Sequence, residues 1–172
     1  SLSISQIIHV GKYSLVVMVF TLAAAFGFGY LFGKLFKMDW KLSSLISAGT
    51  GICGGTAVAT LSQVIDAEDS DVAYAISATF IFDVVMVILF PIMGAALGLS
   101  DMAFGLWAGT AVNDTSSVTA TAAVWDSMKG TGTQVLEYAT IVKLTRTLAI
   151  IPICLGLASY QVYKAKQNTA QT

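Results

Sequence analysis

The stretch "KYSLVVMVFTLAAAFGFGYLFGKLF", residues 12–36, decides the class of fold. Between the lysines near its two ends it carries no charge and no polar face at helical spacing. A surface helix of a soluble protein would show such a face. The segment exceeds the roughly 20 residues that a helix needs to cross a bilayer. It therefore predicts a transmembrane helix, since backbone groups in lipid must find their partners within the segment.

The composition of the whole chain agrees with a membrane protein. Its 172 residues are 56% hydrophobic and 11% charged, whereas a soluble domain has roughly 25% charged residues. The sequence therefore predicts an all-α integral membrane protein, in which residues 1–172 form a single transmembrane domain in the lipid bilayer. About five transmembrane helices are expected, over Tyr13–Phe36, Leu42–Ile65, Val72–Leu97, Met102–Val124 and Tyr138–Tyr160.

Charge and residue counts exclude several classes of function. The net charge of -1 offers no basic surface for nucleic acid. The chain has one histidine and two cysteines, and both cysteines lie in apolar segments. We therefore expect no metal site, no disulfide framework and no cofactor.

Lysines set the expected orientation. Lys34, Lys37 and Lys41 lie between the first two predicted spans, and Lys164 and Lys166 lie in the tail. Positive charge marks cytoplasmic loops, so the N-terminus is expected outside and residues 161–172 are expected to form a cytoplasmic tail. An outside start without a signal peptide fits an upstream part with an odd number of spans.

Two of the predicted spans contain helix-weakening residues at corresponding places. "AGTGICGGTAVAT", residues 48–60, and "AGTAVNDTSSVTA", residues 108–120, begin with the same three residues. Glycines weaken a helix by about 1 kcal/mol each relative to alanine, and Asn, Asp and Ser side chains compete with helical hydrogen bonds. We expect both spans to be discontinuous. Free amides at such a break suit an anion, and free carbonyls suit a cation. Tight helix packing through small residues is the alternative reading of the glycines.

Four ionisable residues lie within predicted spans. Asp83 and Asp114 lie near the middle of theirs, while Lys143 and Arg146 are three residues apart and share a helix face. An ionisable residue inside the membrane is a functional hypothesis by default. Two acids and two bases could also form purely structural ion pairs, and the two cations could instead lie at the outer edge of the membrane.

Four motifs together resemble one family. They are "LISAGTGICGGTAVATLSQVI", "VAYAISATFIFDVVMVILFP", "AFGLWAGTAVNDTSSVTATA" and "ATIVKLTRTLAIIPICL", in this order. The chain resembles the YeiH-type sulfate exporter family of bacterial inner-membrane proteins. The resemblance implies that the chain is the C-terminal half of a longer transporter with an inverted-repeat fold. Its partners would be the missing N-terminal half of the same protein and a second copy in a homodimer.

The expected function is secondary active transport of a small anion, sulfate-like or organic, coupled to protons or sodium. The candidate binding residues are Asn113, Asp114, Thr115 and Ser116, faced by Cys53, Gly54 and Thr56, with Asp83, Lys143 and Arg146 nearby. The alternative within transport is a cation–proton antiporter that uses Asp83 and Asp114, because an Asn-Asp pair in a broken helix is similar to that of such antiporters. From other classes, an intramembrane aspartyl protease and a membrane subunit without transport of its own remain open. We expect no enzyme.

Overall fold

The computed structural model describes residues 4–169, with side chains described for residues 15–166. The described part of the chain is helical and contains no strand. Its α-helices are α1 (Ile4–Leu35), α2 (Trp40–Ala48), α3 (Gly55–Ile65), α4 (Asp69–Ala96), α5 (Asp101–Ala111), α6 (Thr115–Lys129), α7 (Gln134–Thr147) and α8 (Ile150–Thr169).

Within the described residues, three stretches are long and apolar enough to cross a membrane. They are Leu15–Leu35 in α1, the whole of α4, and the run Gln134–Lys166 that joins α7 to α8. This number is smaller than the five spans expected. The second and fourth predicted spans are each divided between two shorter helices, α2 with α3 and α5 with α6.

The helices end where the sequence places its glycines and its Asn-Asp pair. Between α2 and α3 the chain makes a π-helical turn, Gly49–Cys53, and then turns at Gly54, whose φ is 65°. This left-handed backbone favours glycine, which has no side chain to collide with the backbone. Between α5 and α6, Val112 and Asp114 are both extended, with φ/ψ of -74°/134° and -89°/146°.

Helix α1 packs against α2 through two small residues. A Cβ on Gly29 would lie 1.8 Å from the Ser47 hydroxyl, and one on Gly33 would lie 2.5 Å from that of Ser43. Ser43 Oγ donates a hydrogen bond of 2.7 Å to the carbonyl of Gly29. Such close approach through small residues is the usual way in which membrane helices associate.

The chain thus has two interruptions, one between α2 and α3 (residues 49–54) and one between α5 and α6 (residues 112–114). Two clusters of buried side chains lie beside them. One is built around α2 and α3, and includes Leu45, Ile52 and Leu61. The other joins α4, α5, α6 and α7, and contains the stacked rings of Phe104 and Trp125, whose centroids are 4.0 Å apart. Large apolar side chains on α1 and α4 remain exposed outside both clusters, as expected for surfaces that face lipid.

Candidate functional site

Asp83 binds the start of α6. This residue lies in the middle of α4 and is 2% exposed. Its Oδ1 accepts a hydrogen bond of 2.9 Å from the amide of Asn113, and its Oδ2 accepts one of 2.9 Å from the amide of Asp114. A carboxylate at the N-terminal end of a helix is stabilised by the helix dipole. Asp83 therefore holds the non-helical residues before α6 in place.

Asp114 is the N-cap of α6. Its Oδ2 accepts a hydrogen bond of 3.0 Å from the amide of Ser116 and a second hydrogen bond from the Ser116 hydroxyl. This geometry satisfies one of the free amides at the start of a helix. Asp114 is half-buried and Ser116 is exposed, so the carboxylate keeps access to whatever lies beside the interruption.

Lys143 binds the end of α5. The side chain is fully buried on α7, and its ammonium group donates a hydrogen bond of 2.7 Å to the carbonyl of Val112. Val112 is the C-cap of α5, where helix carbonyls lack partners and the helix dipole is negative. The lysine therefore compensates the negative end of this helix.

Arg146 binds backbone carbonyls at the other interruption, between α2 and α3. It lies one turn further along α7 and is 2% exposed. Its Nε donates to the carbonyl of Gly51 at 3.0 Å, and its Nη2 donates to the carbonyls of Gly51 and of Thr50, the latter at 3.1 Å. A single turn of α7 thus places a cation on the carbonyl side of each interruption.

The two interruptions touch each other. A Cβ on Gly54 would lie 3.3 Å from both the Cβ and the amide nitrogen of Asp114. The backbone of the first interruption therefore packs directly on the N-cap of α6. A side chain larger than glycine at this position would press against Asp114.

The two helices that begin at the interruptions differ in electrostatic compensation. The start of α6 has the carboxylates of Asp83 and Asp114. The start of α3 has no acidic residue in its first turn, and its N-cap, Gly54, makes no side-chain hydrogen bond. The positive end of the α3 dipole is therefore left without a capping carboxylate, which makes it suitable for an anion.

Two buried side-chain polar atoms lack a hydrogen-bond partner within the described part of the chain. They are Asn113 Oδ1 and Arg146 Nη1, and both belong to residues that contact or form the interruptions. An unpaired buried polar group costs about 1–3 kcal/mol. Such groups call for an explanation, and a bound solute or water is one.

The predicted site residues fall into three groups in the structure. Asp83, Asn113, Asp114 and Ser116 share hydrogen bonds. Gly54 contacts this group, and Lys143 is bonded to the residue that precedes Asn113. The third group lies at the first interruption and the helix starts: Cys53 is the buried last residue of the π-helical turn, and Arg146 is hydrogen-bonded to Gly51 in that turn. Thr115 is the first residue of α6, and Thr56 is exposed in the first turn of α3.

Sequence reasoning did not identify Thr50, Gly51 and Val112 as partners of the cations. Their contribution is a backbone carbonyl, so residue type gave no signal. The weakness of the surrounding helix was the available indication. In place of the ion pairs considered from the sequence, Lys143 and Arg146 bind these backbone carbonyls, and both side chains are buried within the protein. Among the described residues, no three His, Cys, Asp or Glu side chains form a metal-binding group.

Comparisons with known proteins find relatives along the whole chain. The model of a family described as conserved hypothetical protein 698 matches residues 1–172. A UPF0324 membrane protein of Clostridium tetani is 66% identical over 155 residues, which cover 90% of this chain and 43% of that protein. One from Streptococcus mutans is 50% identical over 166 residues, covering 96% and 48% respectively. One from Fusobacterium nucleatum is 51% identical over 168 residues, covering 98% and 48%.

The chain spans a little under half of the length of these relatives. No solved structure matches it.

Proposed function

The chain belongs to the family of conserved hypothetical protein 698 and is an integral membrane protein, as its UPF0324 relatives are, and we propose that it forms part of a secondary active transporter for a small anion. Transport would be coupled to protons or sodium. The site lies where the α2–α3 and α5–α6 interruptions meet, with Asp114 taking the coupling ion and Arg146 offsetting the charge of the anion.

The observation that carries this proposal is the unpaired nitrogen of Arg146. The side chain is 2% exposed, binds two backbone carbonyls through Nε and Nη2, and keeps Nη1 without a partner in the described part of the chain. A guanidinium is a fork of donors with no acceptor. What completes it is therefore an acceptor, and an anionic oxygen makes the strongest such bond.

The distribution of charge supports an anion over a cation. Lys143 and Arg146 occupy the carbonyl ends of both interruptions, which are the places where a transported cation would find oxygen ligands. The start of α3 has no acidic residue in its first turn and no side-chain hydrogen bond from its N-cap. The buried donor without a partner in the described part of the chain, Arg146 Nη1, belongs to one of these two cations.

The wider architecture is part of the same proposal. We infer that the two interrupted helix pairs are discontinuous transmembrane helices, and that the chain is the C-terminal repeat of an inverted-repeat transporter in a bacterial inner membrane. Its N-terminus would face outward and its tail the cytoplasm. The anion would be sulfate-like or a small organic one, and the protein would not be an enzyme.

One observation favours a second candidate, a cation–proton antiporter. Asn113 Oδ1 is a buried oxygen without a partner in the described part of the chain, and it neighbours the half-buried carboxylate of Asp114. Both oxygens of Asp83 already accept backbone amides. A cation site would therefore rest on Asp114 and Asn113 rather than on the two aspartates.

Flux measurements in liposomes test the proposal. The complete native protein is reconstituted, and uptake of labelled sulfate and of small organic anions is measured under an imposed proton or sodium gradient. Saturable anion uptake that is lost in Arg146→Gln and kept in the exposed control Lys129→Gln supports the proposal. Size-exclusion profiles show whether each variant is folded. Cation-dependent proton movement without anion flux would contradict anion transport and favour the cation–proton antiporter.

A further inference from the structure

A cavity of about 550 Å³, which is open to the outside of the chain, lies between α1, α2 and α5 beside the interruptions. Its walls include Ala24, Ala25 and Phe28 of α1, and Thr50, Thr110 and Arg146 close the part next to the breaks. The two threonines are the third residues of the matching "AGT" triplets at residues 48–50 and 108–110. The cavity therefore reaches both interruptions at corresponding positions.

The walls of the cavity are mostly apolar, and the charge on them is positive. Among the described residues that line the cavity, Arg146 is the single charged one, and alanine, glycine and phenylalanine supply most of the others. The hydroxyls of Ser43, Ser47 and Thr110 donate to backbone carbonyls of their own or the neighbouring helix. Their hydrogens are therefore already engaged. Arg146 Nη1 is buried and also has no partner among the described residues.

Size and polarity together narrow the ligand. Cavities of about 300–1,000 Å³ hold drug-sized organic molecules, with apolar walls and a few polar groups that fix orientation. An inorganic oxyanion such as sulfate would occupy a small part of this space. It would also leave most of its oxygens facing alanine and phenylalanine without hydrogen-bond donors.

Resting on the proposed anion transport, we propose that the substrate is an organic anion with one acid group and an apolar body. The acid group binds Arg146, and the apolar body lies along α1 against Ala24 and Phe28. The substrate class is an alkyl carboxylate or sulfonate, in place of inorganic sulfate.

Chain-length dependence is the direct test. The complete protein in liposomes is assayed for counterflow of the straight-chain sulfonates from methanesulfonate to hexanesulfonate, with sulfate alongside. Burial of each added methylene group is expected to lower the half-saturation concentration by about three- to fourfold. Sulfate is expected to require a concentration at least tenfold above that of hexanesulfonate.

Two matched pairs of variants locate the apolar body. Ala24→Leu narrows the cavity and is expected to raise the half-saturation concentration of hexanesulfonate at least tenfold, with little change for methanesulfonate. Ala23→Leu, on the exposed side of the same helix, is the control. Phe28→Ala and Phe20→Ala form the second pair. Both rings are exposed, by 60% and 77%, and Phe28 belongs to the cavity wall, so neither change endangers folding.

The outcomes separate this inference from the proposed function. Saturable sulfate uptake with no dependence on alkyl length, unchanged by Ala24→Leu and Phe28→Ala, would overturn the organic substrate and leave anion transport standing. Absence of saturable uptake for every anion tested would overturn the proposed function and this inference with it. A length dependence that both Ala24→Leu and Phe28→Ala reduce, while their controls do not, supports both.

Discussion

The hydrogen bonds of Asp83 make a sharp prediction about stability. In Asp83→Asn the new side chain has almost the same shape, but one carboxylate oxygen becomes an NH₂ group. The remaining oxygen can still accept from Asn113 or from Asp114, while the other backbone amide then faces a donor. One buried amide is thereby left without an acceptor.

The expected cost follows from two effects. A buried donor without a partner costs about 1–3 kcal/mol. The variant also removes a negative charge that attracts the fully buried Lys143, although Lys143 donates its hydrogen bond to a carbonyl and not to Asp83. Loss of a directly bonded partner of a buried charge costs about 3–5 kcal/mol, so this more distant loss adds less. We expect Asp83→Asn to lower the free energy of unfolding by about 2–4 kcal/mol in total.

Asp114→Asn is the matched control. Asn and Asp are about equally good N-caps, and the side-chain oxygen of Asn can still accept from the amide of Ser116. We expect a change in stability below about 0.5 kcal/mol, together with loss of gradient-driven transport if Asp114 takes the coupling ion. The two substitutions should therefore separate stability from transport.

The free energy of unfolding of both variants of the complete protein is measured by titration with dodecyl sulfate in mixed micelles. Tryptophan fluorescence, to which the buried Trp125 contributes, reports unfolding, and flux in liposomes reports transport. Wild-type stability in Asp83→Asn, or a larger loss in Asp114→Asn than in Asp83→Asn, would refute the assignment of Asp83 as the cap of this interruption.

Three further outcomes are expected. Gly54→Ala should destabilise the protein by about 1–3 kcal/mol, because φ is 65° there and the new Cβ presses on Asp114. Gly27→Ala should not destabilise it, because the new Cβ meets open space and alanine favours a helix more than glycine does; equal melting temperatures of the two variants would contradict this. Lys143→Met should destabilise by a similar amount, and combining it with Asp83→Asn should cost less than the sum of the two, whereas strict additivity in the double-mutant cycle would show that the two charges are independent. Liposomes that hold only this chain should show no solute uptake, since alternating access needs one repeat to move against another, and saturable uptake would refute that requirement.

The membrane class of the fold could be predicted from the sequence because it depends on composition. An uninterrupted apolar run such as residues 15–35 is long enough to span a bilayer and has no polar face that would suit it to the surface of a soluble protein. The position of the polar stretches was equally readable, since Gly54, Asn113 and Asp114 weaken a helix by their own chemistry. These local effects act whatever the rest of the chain does.

The partners of the charged residues could not be predicted in the same way. The sequence around Asp83 would be the same whether its carboxylate were free in the membrane or bound to backbone amides far along the chain. Its two hydrogen bonds join residues 30 and 31 positions apart. From the sequence, Lys143 and Arg146 could pair with the two aspartates. Carbonyls at helix ends have no partner within the helix, however, and they compete for the same donors. That competition depends on tertiary geometry, which residue type does not encode.

The contact between Arg146 and Gly51 has a consequence for how the protein is made. The two residues are separated by 95 positions, so at about 5–20 residues per second the ribosome needs roughly 5–19 s to reach the arginine after the glycine. During that interval the π-helical turn enters the membrane with the carbonyls of Thr50 and Gly51 lacking their guanidinium. The nascent chain must shelter this turn in the insertion machinery or in water until α7 arrives. Chains that stop before Arg146 should accordingly be recognised and degraded by membrane proteases, while chains that extend beyond it should persist.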